Sequence, residues 1–396
     1  MREVVIASYV RSAQSRCRPN DPGRDWLFKI RTDDLVARLL PEALKRASCK
    51  PDEVDDHILG CAMPVGENCT LGGRTPVLLA NLDKRTASKH VDEQCGSTMA
   101  ALQIAFMEIS QGFADVVLCS GMEHMGRIPM GGDGKIELNL RFFQDPGLAH
   151  WDFLTAISMG VIAEKMAAMG YTRADQDAWG ARSHQLAYRA QQEGFFAGEI
   201  LPVQVPQMDG STMVVDTDQS VRSDATPEGM ADLQPAFRKD GTVTSGNSSP
   251  LNAGASALVL MAKDVALAKG LQPLATIRSI GFAGVEPNLM GIGPVPSSQR
   301  ALKAAGLAVS DIDFWEINEA FAVVVLYAIR ELGIDPEKVN VKGGGIAIGH
   351  PLGATGGRLV GTLARILKAE GGRYGCATMC CGGGQGVAMI LENEAN

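Results

Sequence analysis

Ala43-Leu-Lys-Arg-Ala47 with Glu53-Val-Asp55 behind it, and Ala301-Leu-Lys-Ala-Ala305 with Asp311-Ile-Asp313 behind it, are one short pattern written twice at a constant interval. Gly112 ahead of the apolar run at 116–120 and Gly372 ahead of the run at 375–379 recur at almost the same interval. Self-similarity at a fixed offset is the mark of an internal duplication. Each copy alternates strand and helix signals. In the first, a strand over 4–10 leads through a polar loop to a helix over 33–47, with Leu35, Val36, Leu39, Leu40 and Leu44 at helical spacing. A strand over 58–63, a short helix over 76–81 and a strand over 116–120 follow. In the second, strands over 274–280 and 312–317, helices over 297–305, 320–332 and 355–367, and strands over 375–379 and 386–391 keep the alternation. That order predicts an α/β fold of two similar βαβαβ halves, packed sheet beside sheet under shared helices, with loops of both meeting at one site.

Between the copies the pattern lapses. Gly121-Met-Glu-His124-Met-Gly-Arg127 opens a Gly- and Met-rich loop, and a helix pair follows over 156–169 and 173–193, the second with Thr172 and Asp175 at capping positions. The expected division is a first half of 1–120 completed by 250–268, an inserted loop subdomain of 121–249, and a second half of 269–396.

The bulk properties bound the function. A length of 396 residues exceeds one ordinary core, and 45% hydrophobic with 21% charged residues is ordinary for a soluble globular protein. A net charge of −8 argues against a general nucleic-acid binder, though local arginines can still grip a nucleotide-containing ligand. Nine cysteines, an odd number without Cys-x-x-Cys spacing, point away from a disulfide framework or a zinc site and towards a reducing compartment. The strand signal from residue 4 leaves no room for a signal peptide, and no apolar run is long enough to span a bilayer.

Chemistry concentrates after strand ends. In Val91-Asp-Glu-Gln-Cys95-Gly-Ser-Thr-Met-Ala-Ala-Leu102 a strand runs into a helix, which places Cys95 in the first turn, where free N–H groups and the helix dipole favour a thiolate. Three later segments carry polar groups at similar junctions: Asn318-Glu-Ala-Phe321, the glycine run leading to Gly349-His350-Pro-Leu-Gly353, and Cys380-Cys381-Gly382-Gly-Gly-Gln-Gly386. The last set of glycines suits close backbone approach to a ligand and N–H groups aimed at an anion.

These four segments, in this order and over nearly the whole chain, resemble the thiolases. The stretches 121–127 and 181–187 look most like the degradative 3-ketoacyl-CoA thiolases, especially the thiolase subunit of fatty-acid β-oxidation complexes. The resemblance implies a layered α-β-α-β-α core. It also implies thiolytic cleavage of a 3-ketoacyl-CoA into acetyl-CoA and a shortened acyl-CoA. Cys95 would attack the C3 ketone with His350 as base and carry the acyl group. Cys380 would protonate the departing acetyl-CoA enolate and then deprotonate incoming CoA. His350 with a water held by Asn318, and the N–H groups of Cys95 and Gly382, would form the two anion holes that the developing charges require. Alternation along an extended strand leaves Cys381 as a buried neighbour. By the same resemblance Arg222 meets the adenine-nucleotide end of CoA and Ser249 its pantetheine. CoA is a co-substrate, and neither a permanent cofactor nor a metal is expected. A homodimer or homotetramer, a hydratase/dehydrogenase partner subunit and a cytoplasmic location follow from it too.

Three departures stand out. Ser158 replaces the histidine of many acetoacetyl-specific members, Asn252-Ala253-Gly254 lacks an Asp usual after that Asn, and the insertion around 24–31 could touch a partner or the substrate entrance. The competing readings are an acetoacetyl-CoA thiolase working in the condensing direction and a non-catalytic thiolase-like lipid-binding protein. Glu123 and His124 are expected to satisfy buried loop backbone rather than line the substrate route.

Overall fold

The duplication is written into the hydrogen bonds of the computed structural model, which describes residues 2–131 and 134–393. The Asp55 carboxylate accepts the N–H groups of Asp115 and Val116 at the start of one strand. Asp313 accepts those of Arg373 and Tyr374 at the start of another. The Glu53 and Asp311 carboxylates each accept the backbone N–H of the residue three before them, Lys50 and Ala308. The Ser8 hydroxyl donates to Ala43 and the Ser279 hydroxyl to Ala301, both at 2.7 Å. The repeated residues recur because each copy must satisfy the same orphan backbone groups at the same corner.

Among the described residues ten strands form one mixed sheet. Its order is Phe314–Ile317, Tyr374–Cys381, Gln385–Glu392, Ala275–Gly284, Val4–Arg11, Asn252–Ala262, Val116–His124, Asp56–Gly60 and Ala87–Val91, with Ser15–Arg16 paired beside Asn252–Ala262. Outward from the middle both directions give the same sequence of elements: the half's first strand, its last, then two parallel neighbours. The halves join antiparallel where Val5 faces Thr276 and Ile6 faces Ala275. The two sheets anticipated from the repeat are therefore continuous. Edge strand Ala87–Val91 has as its second-half counterpart only a bridge between Trp315 and Val339.

Helices Ser97–Ser110 and Leu352–Glu370 pack on each other, and the second reaches strands of both halves. Close approach is possible because position 356 is glycine: a Cβ there would lie 2.7 Å from the Met99 side chain. Helices Thr32–Arg46 and Pro294–Ala305 cover strands of the first and second half respectively. The layered mixed α/β architecture expected from the sequence is present.

Two local expectations need correction. Residues 121–124 do not open a loop; they extend strand Val116–His124 and pair with 253–256. Gly121 misleads a reading by composition, yet a side chain there would strike Thr98 and Gly353. The middle segment has its helix pair, Met159–Ala167 and Arg173–Gln192, the latter with the Thr172–Asp175 capping box. It also has short helices at Arg141–Gln144 and Phe153–Ala156 and an unforeseen hairpin, Val203–Pro206 with Thr212–Val215. The 24–31 insertion is anchored rather than protruding, since Leu27 and Ile30 are core residues.

Candidate active site

Strand Ala87–Val91 ends in a tight turn that aims Cys95. Gln94 takes a left-handed φ of 50°, a conformation few non-glycine residues hold. Asp92 accepts its N–H at 2.8 Å, and the Ser97 hydroxyl donates to the Gln94 carbonyl at 2.6 Å. The helix begins at Ser97, so Cys95 sits two residues ahead of it and not within its first turn. The expected thiolate is also absent at rest. Burial pushes the Cys95 thiol up to about 12, aided by nearby Glu123, against the opposing pull of the Gly382 N–H and its own N–H. Two N–H donors do not offset full desolvation of a charge.

His350 also stands two residues ahead of its helix, Leu352–Glu370. The Thr98 hydroxyl donates to the Gly353 carbonyl, and each of these residues is three past its half's reactive side chain. That bond stitches the two helix starts together. The Thr355 hydroxyl donates to the Pro351 carbonyl at 2.8 Å, so its oxygen accepts from His350 Nδ1 at 2.8 Å. Nδ1 thus carries the proton and Nε2 keeps its lone pair, towards which Asn318 Nδ2 points at 3.3 Å. Burial, with Arg358 nearby, lowers His350 to about 3, leaving a neutral imidazole able to take a proton.

A buried, neutral thiol has a signature. Alkylation of Cys95 by iodoacetamide, followed by peptide mass spectrometry, should accelerate steadily from about pH 6 to about pH 10 as the thiolate fraction grows. A plateau below neutrality would mean a preformed thiolate–imidazolium pair.

Asn318 follows strand Phe314–Ile317, and its N–H is held by the Thr378 carbonyl at 2.9 Å, beside the strand that ends in Cys380 and Cys381. Among the described residues its Oδ1 is buried without a hydrogen-bond partner, an unsatisfied acceptor. Adjacent Glu319 turns away and accepts from Trp179, Ser183, Asn340 and the Ile346 N–H, so it braces the glycine run instead of entering the site.

The hairpin turn after Tyr374–Cys381 carries Gly382, whose N–H reaches the Cys95 sulfur together with that of Cys95 itself. Cys380 and Cys381 lie on opposite faces of their strand. Cys380 packs among Ala320, Phe321 and Met290, and its thiol is raised by burial and by Cys95. The Cys381 sulfur lies under Gly96, 2.6 Å from where a Cβ would stand.

The chain thus gathers Cys95, Gly382, Cys380 and Cys381 at one point, with His350 and Asn318 tied to it through Thr98–Gly353 and Asn318–Thr378. Ser249 joins through its N–H, which donates to the Ala320 carbonyl at 3.0 Å. Arg222 lies outside this cluster, exposed, with its N–H on His184 Nδ1 at 3.2 Å. Thr355, Thr98 and Asn252, whose Oδ1 accepts the His350 N–H at 2.9 Å, were not singled out by the sequence for this arrangement. Glu123 accepts the N–H groups of Ala62 and Gly353, so it satisfies buried backbone as expected.

Known proteins resemble this chain over nearly its whole length. The family model described as the thiolase N-terminal domain matches residues 16–264, and that of the thiolase C-terminal domain matches 271–393. A protein of Marinobacter nauticus named 3-ketoacyl-CoA thiolase is 43% identical over 397 residues, covering 99% of this chain and 98% of the relative. One of Hahella chejuensis with the same name is 41% identical with the same coverage. The crystal structure of the Bacillus anthracis acetyl-CoA acetyltransferase superposes with a TM-score of 0.88 at 37% identity, covering 99% of each chain. With both domain models matched across almost its whole length, the chain belongs to the thiolase family of acyltransferases.

Proposed function

We propose that the protein is a 3-ketoacyl-CoA thiolase that cleaves 3-ketoacyl-CoA with CoA through an acyl-enzyme on Cys95. The observation that carries this is the bond from the Thr98 hydroxyl to the Gly353 carbonyl, which joins the starts of the helices that follow Cys95 and His350, with Gly382 and Cys380 near enough to Cys95 to act on its thiol. In the first half-reaction the thiol proton passes to Nε2 of His350 as sulfur bonds to the C3 carbonyl carbon. The oxygen charge rests on the two N–H groups. The C2–C3 bond then breaks, its electron pair leaving as the acetyl-CoA enolate, which takes a proton from Cys380. His350 with a water on the free Oδ1 of Asn318 steadies that enolate's oxygen. In the second half, Cys380 takes the proton of CoA, whose sulfur displaces Cys95. Thr355 holds the imidazole in the tautomer this requires. Thr355→Val should lower kcat about tenfold or more with little change in KM, read by steady-state kinetics.

CoA binding has its own support. Burial depresses Arg16, and Arg18, Arg222 and Arg24 lie close enough for their like charges to depress it further; among the described residues the buried Arg18 Nε has no hydrogen-bond partner. Such crowding suits the CoA phosphates, and Ser249 is assigned to pantetheine. Arg16→Ala and Arg222→Ala should each raise KM for CoA several-fold, with kcat preserved and the effect shrinking at high salt. Steady-state kinetics at two ionic strengths checks this.

A homo-oligomer is supported by edge strand Ala87–Val91 and by the exposed Leu71, Leu78 and Leu79. A role in β-oxidation, a hydratase/dehydrogenase partner and a cytoplasmic location belong to the same proposal, as does the division into 1–120 with 250–268, 121–249 and 269–396. Among the described residues no helix is long and apolar enough to cross a membrane.

The name of the Bacillus anthracis neighbour favours a second reading, condensation of acetyl-CoA to acetoacetyl-CoA. Turnover on a series of 3-ketoacyl-CoAs from C4 upward decides between the two. The proposal expects sustained rates on chains longer than C4, and activity confined to C4 would replace it with the second reading.

A further inference from the structure

We propose that Cys17, Asp25 and His124 form a buried site for one divalent transition-metal ion of the zinc class, a structural clip independent of the Cys95 chemistry. The three side chains are buried, and one ligand atom from each lies within 4.8 Å of the others. Cys17 Sγ stands 3.6 Å from His124 Nδ1. Two ligands of a tetrahedral zinc at the usual Zn–S and Zn–N bond lengths are separated by roughly that distance, about 3.5 Å.

The surroundings are those of a ligand shell. His124 Nε2 faces the Leu27 carbonyl at 3.4 Å, the backbone partner that fixes the tautomer of a metal-binding imidazole. Nδ1 accepts the N–H groups of Gly126 and Arg127 at 3.3 Å, the second of which also donates to the His124 carbonyl at 3.1 Å, and the ion would take their place. Asp25 Oδ1 is occupied by the Ser15 hydroxyl at 2.5 Å and the Leu27 N–H at 3.1 Å, whereas Oδ2 is buried with no hydrogen-bond partner. A Cβ at Gly126 would come within 3.3 Å of both Oδ2 and the Cys17 sulfur, so the absence of a side chain there leaves room beside both. Among the described residues no Lys or Arg pairs with Asp25, and His124 Nε2 is 3.9 Å from Oδ2. A buried carboxylate without a cation is unfavourable. A divalent ion bound by Cys17 thiolate, Asp25 carboxylate and neutral His124 makes the site neutral, with a water as fourth ligand. The Cys17 thiol proton is released to solvent on binding. One sulfur, one nitrogen and one carboxylate oxygen suit zinc better than calcium or magnesium. The ligands come from positions 17, 25 and 124, so no motif spacing announces them. The ion would clip the 24–31 insertion to the end of strand Val116–His124.

The test uses the full-length protein, stripped with chelator under reducing conditions and titrated with Co2+ as a spectroscopic probe. The expected result is one Co2+ per chain with a thiolate-to-cobalt charge-transfer band. That band should vanish in Cys17→Ser and persist in Cys95→Ser. Asp25→Asn keeps the Oδ1 acceptor for Ser15 and Leu27 but turns Oδ2 into a non-ligand. It should fold with an unchanged circular dichroism spectrum, bind at least tenfold more weakly, and lose the rise in Tm that Zn2+ gives the parent. No uptake by the parent protein, a band that survives in Cys17→Ser, or one lost in Cys95→Ser would each overturn the proposal, the last by assigning the metal to the Cys95 cluster.

Discussion

Cys95→Ser is expected to lose about four to six powers of ten in kcat, the scale on which removing a nucleophile acts when its base and anion hole remain. A serine in the same turn retains the Gln94 and Ser97 bonding that aims it. What it loses is an ionisable, strongly nucleophilic atom. Burial already holds the thiol at about 12, and an alcohol is less acidic still and a weaker nucleophile, so the same imidazole activates it far less. The helix packing at Thr98 and Gly356 does not involve the Cys95 side chain, so Tm should move little. Rapid-quench kinetics on 3-ketoacyl-CoA with matched melting curves reads both quantities. A rate within tenfold of the parent would remove Cys95 from the mechanism.

His350→Ala should cost about 10^4-fold in kcat, because two contributions disappear together. General-base action is worth about 10^2–10^4-fold, and one anion-hole donor about 10^2–10^3-fold. The two are not additive in full, since both act through one ring. The substitution also strips Asn318 Nδ2 of its partner at 3.3 Å and frees the Thr355 hydroxyl oxygen, so some local loosening is expected. The diagnostic feature is chemical rescue. His350, lowered to about 3, is neutral throughout the assay range, so exogenous neutral imidazole should restore part of the acylation rate. A variant whose rate stays within tenfold of the parent's would assign the base elsewhere.

Much of this was legible in the chain because the constraints are local. Asp55 and Asp313, or Glu53 and Asp311, recur since each satisfies backbone donors a few residues away or at one strand corner. Such needs leave a fixed residue type at a fixed offset. The reactive side chains were legible as strand-end residues among glycines; the structure sets Gly382, Cys380 and Cys381 near Cys95, sets His350 against Asn318, and links the two groups through the Thr98–Gly353 bond. What was not legible depends on distant partners. Cys95 reads as an activated thiol from its expected place in a helix's first turn, yet its proton is held by a desolvation that only the assembled core creates. Gly121 reads as a loop residue, whereas it continues a strand because Thr98 and Gly353 press against it. Thr355 is an unremarked helix residue until the Pro351 carbonyl fixes its hydroxyl and, through it, the imidazole tautomer. The Cys17, Asp25 and His124 cluster joins residues too far apart for any spacing rule.

The most direct test of the account is to mix the protein with a 3-ketoacyl-CoA in the absence of free CoA, quench, and locate the acyl group by peptide mass spectrometry. A single acyl adduct on the Cys95 peptide, discharged when CoA is added, is the predicted result. An adduct on Cys380 or Cys381 instead, or acetyl-CoA released with no adduct on any residue, would contradict it.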